Sequence, residues 1–235
     1  MVQHMNQIPK LKPRNIFQST KFEIVLIGPV GSGKSTIADL LSQRLGLPRR
    51  SIDEFRWKYY DELNYDWGRA KESHIKDGFW GLYRYWKPFE AHAVKRMLED
   101  FKDCVFDFGA GNSVYEDAVL RGQVRELLAP YAHVILLLPS PDPHESMQIL
   151  SDRNNYSSIE QRTINEHFVR HHSNYDLAKY TVYTKGKTPE ETCAEILTRC
   201  GDQNSFNKQE HFIDTILFHS RLKNPAYESL YAVSH

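Results

Sequence analysis

Residues 26–41, "LIGPVGSGKSTIADLL", put three glycines, a lysine, a serine and a threonine between an apolar run and a helical one. Gly28 to Ser35 fits the pattern G-x-x-x-x-G-K-[ST]. The preceding "KFEIVLIG" has the composition of a short buried strand. After the pattern, Ile37, Leu40, Leu41 and Leu45 recur at helical spacing until Gly46 and Pro48 stop the run. A strand that enters and a helix that leaves is the setting in which this pattern cradles phosphate. Glycines let backbone N–H groups turn inward around an anion. The helix adds its unpaired N–H groups and the positive end of its dipole. On this reading Gly28, Gly31, Ser32, Gly33, Lys34, Ser35 and Thr36 hold a nucleotide polyphosphate. Lys34 bridges the outer phosphates, the Ser35 hydroxyl ligates Mg²⁺, and Thr36 donates to the inner phosphate. Asp107, in the apolar "CVFDF", is the candidate second metal ligand; the alternative is a structural carboxylate capping a nearby turn.

Other segments extend the pattern. "CVFDFG" (104–109), "HVILLLP" (133–139) and "KYTVYTKG" (179–186) read as further strands. Helices are expected over 87–102 and 114–128. Another opens at Asp142-Pro143 with Glu145 closing a capping box, and one at Thr188-Pro189 with Glu191 runs to about Arg199. Strands alternating with helices imply an α/β fold with a parallel sheet covered on both faces. Residues 1–20 read as an arm, and residues 208–221 as an amphipathic helix within a C-terminal tail at 201–235.

The bulk numbers bound the partners. Thirty basic and thirty acidic residues cancel among 235, which argues against a general nucleic-acid or anionic-membrane binder. The longest strongly apolar run, "HVILLL", is far too short to span a bilayer. Cys104, Cys193 and Cys200 have no metal-like spacing, and an odd count fits a reducing compartment; a cytoplasmic location is expected. Eleven histidines include His171 and His172 but no metal pattern, and read as surface or lid residues.

A switch GTPase would carry an N-K-x-D base reader, and none is present. Asp53 follows Lys34 by nineteen residues, an interval the phosphate-binding helix fills. It is expected at the end of the next strand, across the cleft from the phosphates. A carboxylate there can orient an acceptor hydroxyl and take its proton. The alternative, a helix N-cap before Glu54, is compatible with that role.

With these residues in view, the chain resembles the shikimate kinase family of small P-loop kinases over roughly residues 22–200. "IVLIGPVGSGKSTIADLLSQRLGLP" is similar to that family's opening, and Asp53 falls where the family has its substrate-binding aspartate. "WKPFE" sits at the family's Phe-Arg-x-x-Glu segment, with Lys87 at the arginine and Glu90 at the glutamate. Gly109, Ala110 and Gly111 sit at its triple-glycine loop, and Arg170 at the arginine of its closing segment. The resemblance implies a P-loop NTPase three-layer sandwich of nucleoside-monophosphate-kinase type, with a five-stranded parallel sheet. It also implies an acceptor-binding insert at about 54–90, a lid at about 152–172, and transfer of the γ-phosphoryl of ATP to a hydroxyl of a small molecule. Asp53, Lys87, Gly109, Ala110 and Gly111 would then meet the acceptor, and Arg153, Arg162 or Arg170 would close over the phosphates.

The chain also departs from the family. Ser51-Ile52-Asp53 replaces Asp-x-Asp, Lys87 replaces a carboxylate-clamping arginine, Ala110 replaces the middle glycine, and the lid lacks an Arg-Pro pair. These departures point to a polyol, cyclitol or nucleoside as acceptor before shikimate. Residues 55–89 hold all four tryptophans and eight further aromatics, for stacking on an acceptor or for packing a subdomain or dimer contact. The expected protein is a monomeric or homodimeric kinase using ATP and Mg²⁺. A nucleoside or nucleotide kinase is the alternative within enzymes, and a nucleotide-gated binding protein acting through its tail is the alternative outside them.

Overall fold

The computed structural model describes residues 22–154, 156 and 158–201. The arm at 1–20 and the helix expected at 208–221 lie outside the described residues. Five strands form one parallel sheet: β1 (Ile24–Ile27), β2 (Arg49–Ser51), β3 (Val105–Asp107), β4 (His133–Leu138) and β5 (Tyr180–Tyr183), in the order β2-β3-β1-β4-β5. Every residue of β1 and β4 is buried, as a sheet covered on both faces requires.

Strand alternation divides the apolar residues between two cores. Ile24, Leu26, Val105, Ile135, Leu137 and Val182 face Ile37, Ala38 and Leu41 of α1 (Lys34–Leu45), and Cys193, Ile196 and Cys200 of a final helix α8 (189–201). Val25, Ile27, Phe106, Val134, Leu136 and Leu138 face the opposite layer. That layer holds α2 (Ile52–Asp61), α3 (Trp67–Asp100), α4 (Ala118–Leu128) and α7 (His172–Leu177). Helices α5 (Pro143–Arg153) and α6 (Ile159–Arg170) follow β4; α5 ends at the start of the span expected as a lid, and α6 lies within it. All three cysteines are free and buried. No helix among the described residues is long and apolar enough to cross a membrane.

Several boundaries differ from the sequence reading. The helix expected from 87 begins at Trp67, capped by Asp66, whose carboxylate accepts from the Gly68 and Arg69 N–H groups. It is two helices joined at a kink, where Asp77 and Gly78 leave helical geometry, and its second part runs through Pro88. Packing of Phe89, Ala93, Val94 and Met97 into the core outweighs the hydrogen bond that proline removes. The helix expected from 114 starts at Ala118, because a 3₁₀ turn (Ala110–Ser113) and the Asp117 cap intervene. Asp142 caps α5 as expected, but Glu145 turns to the Ser140 hydroxyl and Lys185 instead of closing a box on it.

The second capping box is complete. Thr188 Oγ1 accepts from the Glu191 N–H at 3.1 Å, and Glu191 Oε2 accepts from the Thr188 N–H at 2.7 Å. Thr188→Ala should therefore destabilise the protein by about 0.5–2 kcal/mol. Exposed Thr198→Ala on the same helix should stay within about 0.5 kcal/mol. Urea unfolding of the two variants beside wild type checks this; equal midpoints would show that the box does not hold α8.

Candidate active site

The loops that leave β1, β2 and β3 meet at the carboxyl edge of the sheet, where ligands of open parallel sheets bind. The first is the P-loop. Gly28, at φ 139°, packs so closely on β4 that a methyl group would come within 2.5 Å of the Leu137 carbonyl oxygen. Lys34 opens α1 with its side chain folded back. Its ammonium donates to the Gly28 and Pro29 carbonyls at 2.9 and 2.8 Å. Burial lowers its pKa to about 8, although the Asp107 and Asp53 carboxylates pull the other way. Ser32 is buried and its hydroxyl has no hydrogen-bond partner among the described residues. Ser35 and Thr36 lie exposed in the first turn of α1. A buried cation bonded only to carbonyls and an unsatisfied hydroxyl are the groups a polyphosphate would satisfy, so the cradle fits a nucleotide.

Two carboxylates face this cradle. Asp107 ends β3 in register with Ser51 of β2 and is buried. Its Oδ2 accepts from Arg49 Nη2 at 2.5 Å, and Arg49 also reaches Asp39. Asp53 neither ends a strand nor caps a helix. The strand stops at Ser51, and Asp53 lies in the first turn of α2, where a negative charge favours the helix dipole. A methyl on Gly109 would come within 3.4 Å of Asp53 Oδ1. Arg56 Nη2 lies 2.9 Å from the same oxygen, and its guanidinium sits near the Trp57 and Trp86 rings. The sequence reading gave Arg56 no role beside Asp53, yet the i,i+3 spacing on a helix was available as a signal.

The residues expected to meet the acceptor lie on α3 and the loop after β3. Lys87 is buried, and its ammonium is committed. Glu90 Oε2 accepts at 2.6 Å, the Gly111 carbonyl at 2.9 Å, and the Tyr83 ring centre lies 3.9 Å away. Burial lowers its pKa, while Glu90 acts in the other direction. The Ala110 methyl packs with Tyr83, Val114, Ile164 and Phe168, joining this loop to the lid helix. Most of the aromatic insert is packing: Tyr59, Tyr60, Tyr65 and Phe89 lie in the main core, while Trp57 and Trp67 remain partly exposed with ring centres 4.7 Å apart.

Arg153, Arg162 and Arg170 are all exposed, and Arg170 pairs with Glu166 on its own helix. Among the described residues, the groups of this span that hydrogen-bond to the P-loop are Asn154 and Asn165, both on Val30. Asn165 sits among Ile164, Phe168 and Val169 on the buried side of α6, so a lone amide within an apolar stripe was its sequence signal. Further along, Glu116 Oε1 accepts from Tyr83 at 2.8 Å and lies 2.6 Å from His167 Nε2. Partial burial pushes the Glu116 carboxyl up, but these two bonds and the Lys87 charge hold it at about 2. His171 Nε2 is 4.0 Å away from the same oxygen. Glu116, His167 and His171 are close enough together for a metal ion. However, His171 Nδ1 accepts the Ser173 N–H at 3.2 Å, so the neutral ring carries its proton on Nε2, the atom facing Glu116. The cluster is a hydrogen-bonded tie between α6 and α3.

A phosphate cradle after β1, acidic side chains after β2 and β3, and helices over the cleft after β4 define a P-loop kinase of small metabolites. The family model described as Shikimate kinase matches residues 30–201, and the chain belongs to that family. A shikimate kinase of Streptomyces coelicolor is 30% identical over 175 residues, covering 74% of this chain and 92% of the relative. One from Marinomonas is 31% identical over 118 residues, covering 50% and 56%. Among solved structures, shikimate kinase from Acinetobacter baumannii in complex with shikimate superposes with a TM-score of 0.55 at 18% identity, covering 78% of this chain and 95% of that one. A gluconokinase from Sinorhizobium meliloti gives 0.50 at 14%, covering 80% and 97%. These structural likenesses concern the fold. The family uses ATP, typically with Mg²⁺.

The depressed Lys34 pKa carries a pH signature. A bound polyphosphate favours the ammonium and raises its pKa again. Nucleotide binding should take up a proton once the pH exceeds about 8, and affinity should fall as the pH rises through 8 toward the ordinary lysine value of 10.5. Titration calorimetry of Mg·ADP in two buffers of different ionisation enthalpy measures this uptake. No buffer dependence at pH 8.5 would mean that Lys34 is already charged in the free protein.

Proposed function

We propose that the protein transfers the γ-phosphoryl group of ATP to a hydroxyl of a small, neutral polyhydroxy compound, a polyol or cyclitol. The observation that carries this reading is the convergence of three loops: Lys34 from the first feels the charges of Asp53 and Asp107 from the other two. In this reading the P-loop N–H groups and Lys34 hold the phosphates. Ser35 and Asp107 would hold Mg²⁺, which neutralises phosphate charge when bound. Arg49 already takes one Asp107 oxygen, so that carboxylate would serve the metal through the other. Asp53 accepts the proton of the attacking hydroxyl as its oxygen bonds to phosphorus and the bond to ADP breaks. Arg56, on the same carboxylate, is placed to donate to a neighbouring hydroxyl. Asn112, beside Gly109, adds a buried carbonyl oxygen with no hydrogen-bond partner. Of the lid arginines, Arg153 adjoins Asn154, the residue that touches the P-loop, which favours it over Arg170 as the closing cation.

The committed state of Lys87 supports a neutral acceptor. An ammonium has three N–H groups, and Glu90, the Gly111 carbonyl and the Tyr83 face account for three directions. A substrate carboxylate would have to displace Glu90, and an arginine's planar fork is absent. An imperfectly paired buried group costs about 1–3 kcal/mol, so shikimate should be a poorer acceptor by about tenfold or more. Purified protein, Mg·ATP and a panel of shikimate, gluconate, inositols, sugars and nucleosides, with ADP release followed, ranks the acceptors. Shikimate at the top of that ranking would overturn the neutral-acceptor reading.

The role of Asp53 is separable. Asp53→Asn should keep Mg·ADP affinity within about twofold and lower the transfer rate by about 10²–10⁴-fold, the range for a general base. A parallel loss of nucleotide affinity, read by calorimetry, would move Asp53 from proton acceptor to part of the nucleotide site.

A further inference from the structure

We propose that Asn165 is a positioning residue for the outer phosphates: a lid-borne amide that fixes the tip of the P-loop at Val30. The inference rests on the reading of the cradle as a nucleotide site, and it goes beyond the residues of the P-loop pattern.

Asn165 is wholly buried, and its side chain makes three hydrogen bonds. Oδ1 accepts the Val30 N–H at 2.8 Å, and Nδ2 donates to the Val30 carbonyl at 3.1 Å and to the Tyr156 hydroxyl at 2.7 Å. One amide thus binds both polar groups of one P-loop residue, 135 positions away in the chain. A second lid amide supports it. Asn154, at the end of α5, donates to the Leu150 carbonyl at 2.8 Å and weakly to the Val30 carbonyl at 3.4 Å. That side chain lies over Gly31, where a methyl group would come within 2.0 Å of Asn154 Nδ2.

The physical argument concerns what holds a glycine-rich loop in shape. Gly28, Gly31 and Gly33 all have positive φ, and such residues carry the largest backbone entropy in the absence of restraint. The carboxyl half of the loop is held by the start of α1, where the Ile37 N–H reaches the Gly33 carbonyl. Its amino half follows β1. Val30 lies between, and the hydrogen bonds that tie its backbone come from Asn165 and Asn154. Val30 immediately precedes Gly31, one of the positive-φ glycines of the cradle. Releasing Val30 loosens the loop where the terminal phosphate must sit, and leaves the end held by α1 in place. The seating of the lid and the shape of the cradle are therefore one event.

The test uses the full chain with Mg·AMP-PNP and Mg·ADP in titration calorimetry, beside hydrogen exchange of the peptide spanning Val30–Ser32. Asn165→Ala should weaken AMP-PNP about tenfold and ADP by less than threefold, and speed exchange in that peptide. Tyr156→Phe removes only the hydroxyl that orients the amide, at a partly exposed site. It should give a smaller loss in the same direction with an unchanged melting temperature, and it carries the test if Asn165→Ala does not fold. AMP-PNP affinity within twofold of wild type in the folded variants, or equal losses for both nucleotides, would overturn the proposal. Wild type that bound neither nucleotide would overturn the cradle reading and this inference with it; wild type that binds beside unaffected variants sinks the inference alone.

Discussion

Among the described residues, the buried ammonium of Lys34 hydrogen-bonds only to main-chain oxygens, those of Gly28 and Pro29, within the loop that the central strand delivers. Removing a charge from water is costly unless partners replace the lost hydration. Here the two carbonyls do so in part, and the carboxylates at the ends of β3 and α2 add long-range attraction. The remaining deficit appears as a pKa of about 8. A polyphosphate would remove that deficit, so the free site is built to favour the anion. The rest of the fold follows from this need. The glycines turn the carbonyls toward the ammonium, the sheet sets the two carboxylates beside it, and both helical layers bury the strands that fix those positions.

Much of this was legible in the sequence. The P-loop pattern located α1 with correct bounds and placed β1 within "KFEIVLIG", of which Ile24–Ile27 form the strand, because a local pattern and its flanking periodicity dictate both elements. β4, a run of apolar residues, was equally plain. What escaped was set by contacts distant in the chain. β2, expected from the interval before Asp53, has no apolar signal of its own: it is three residues, Arg49–Ser51, ends two residues short of Asp53, and takes its bounds from pairing with β3. The first half of α3 carries Gly68, Gly78 and Gly81 and no clean periodicity, and its place depends on packing against α2, through Trp57 and Trp67, and against α6, through Trp80 and His167. The partners of Lys87 were half visible: Glu90 lies one turn away, but the Gly111 carbonyl and the Tyr83 ring required the fold. Arg49 could not be matched to Asp107 from sequence, since 58 positions separate them.

The register between β2 and β3 bears on the chain's departures from its family. Ser51 occupies the place of the first acid in the family's Asp-x-Asp, and Asp107 stands directly opposite it on the neighbouring strand. Adjacent strands are about 4.8 Å apart, so a carboxylate moved from one to the other stays at the same edge and facing the same lysine. The acid lost from β2 is replaced at short range, while Asp53 keeps its position two residues further on. Charge at the cradle is conserved, and the nucleotide half of the site retains its logic. The acceptor half has no such replacement: Lys87 has fewer donors than an arginine, and those it has are turned inward to Glu90 and Gly111.

The lid helix α6 explains how these two halves are joined. Asn165 faces the P-loop, and two residues later His167 reaches Glu116, which also accepts from Tyr83 of the acceptor helix. On either side of that pair Ile164 and Phe168 pack on Ala110, which stands where the resemblance expects a glycine in the loop after β3. A glycine there would leave this contact without its methyl, so the substitution binds the lid to the acceptor loop. One rigid turn of helix thus contacts the P-loop, the loop beside Asp53 and the helix carrying Lys87. Packed helices shift between discrete arrangements instead of deforming gradually. A change in the cradle that moved α6 would therefore move the Glu116–His167 tie and the Ala110 contact as well. The polar atoms at both ends of this turn satisfy one another, which holds α6 in one seat while the loops it touches remain rich in glycine.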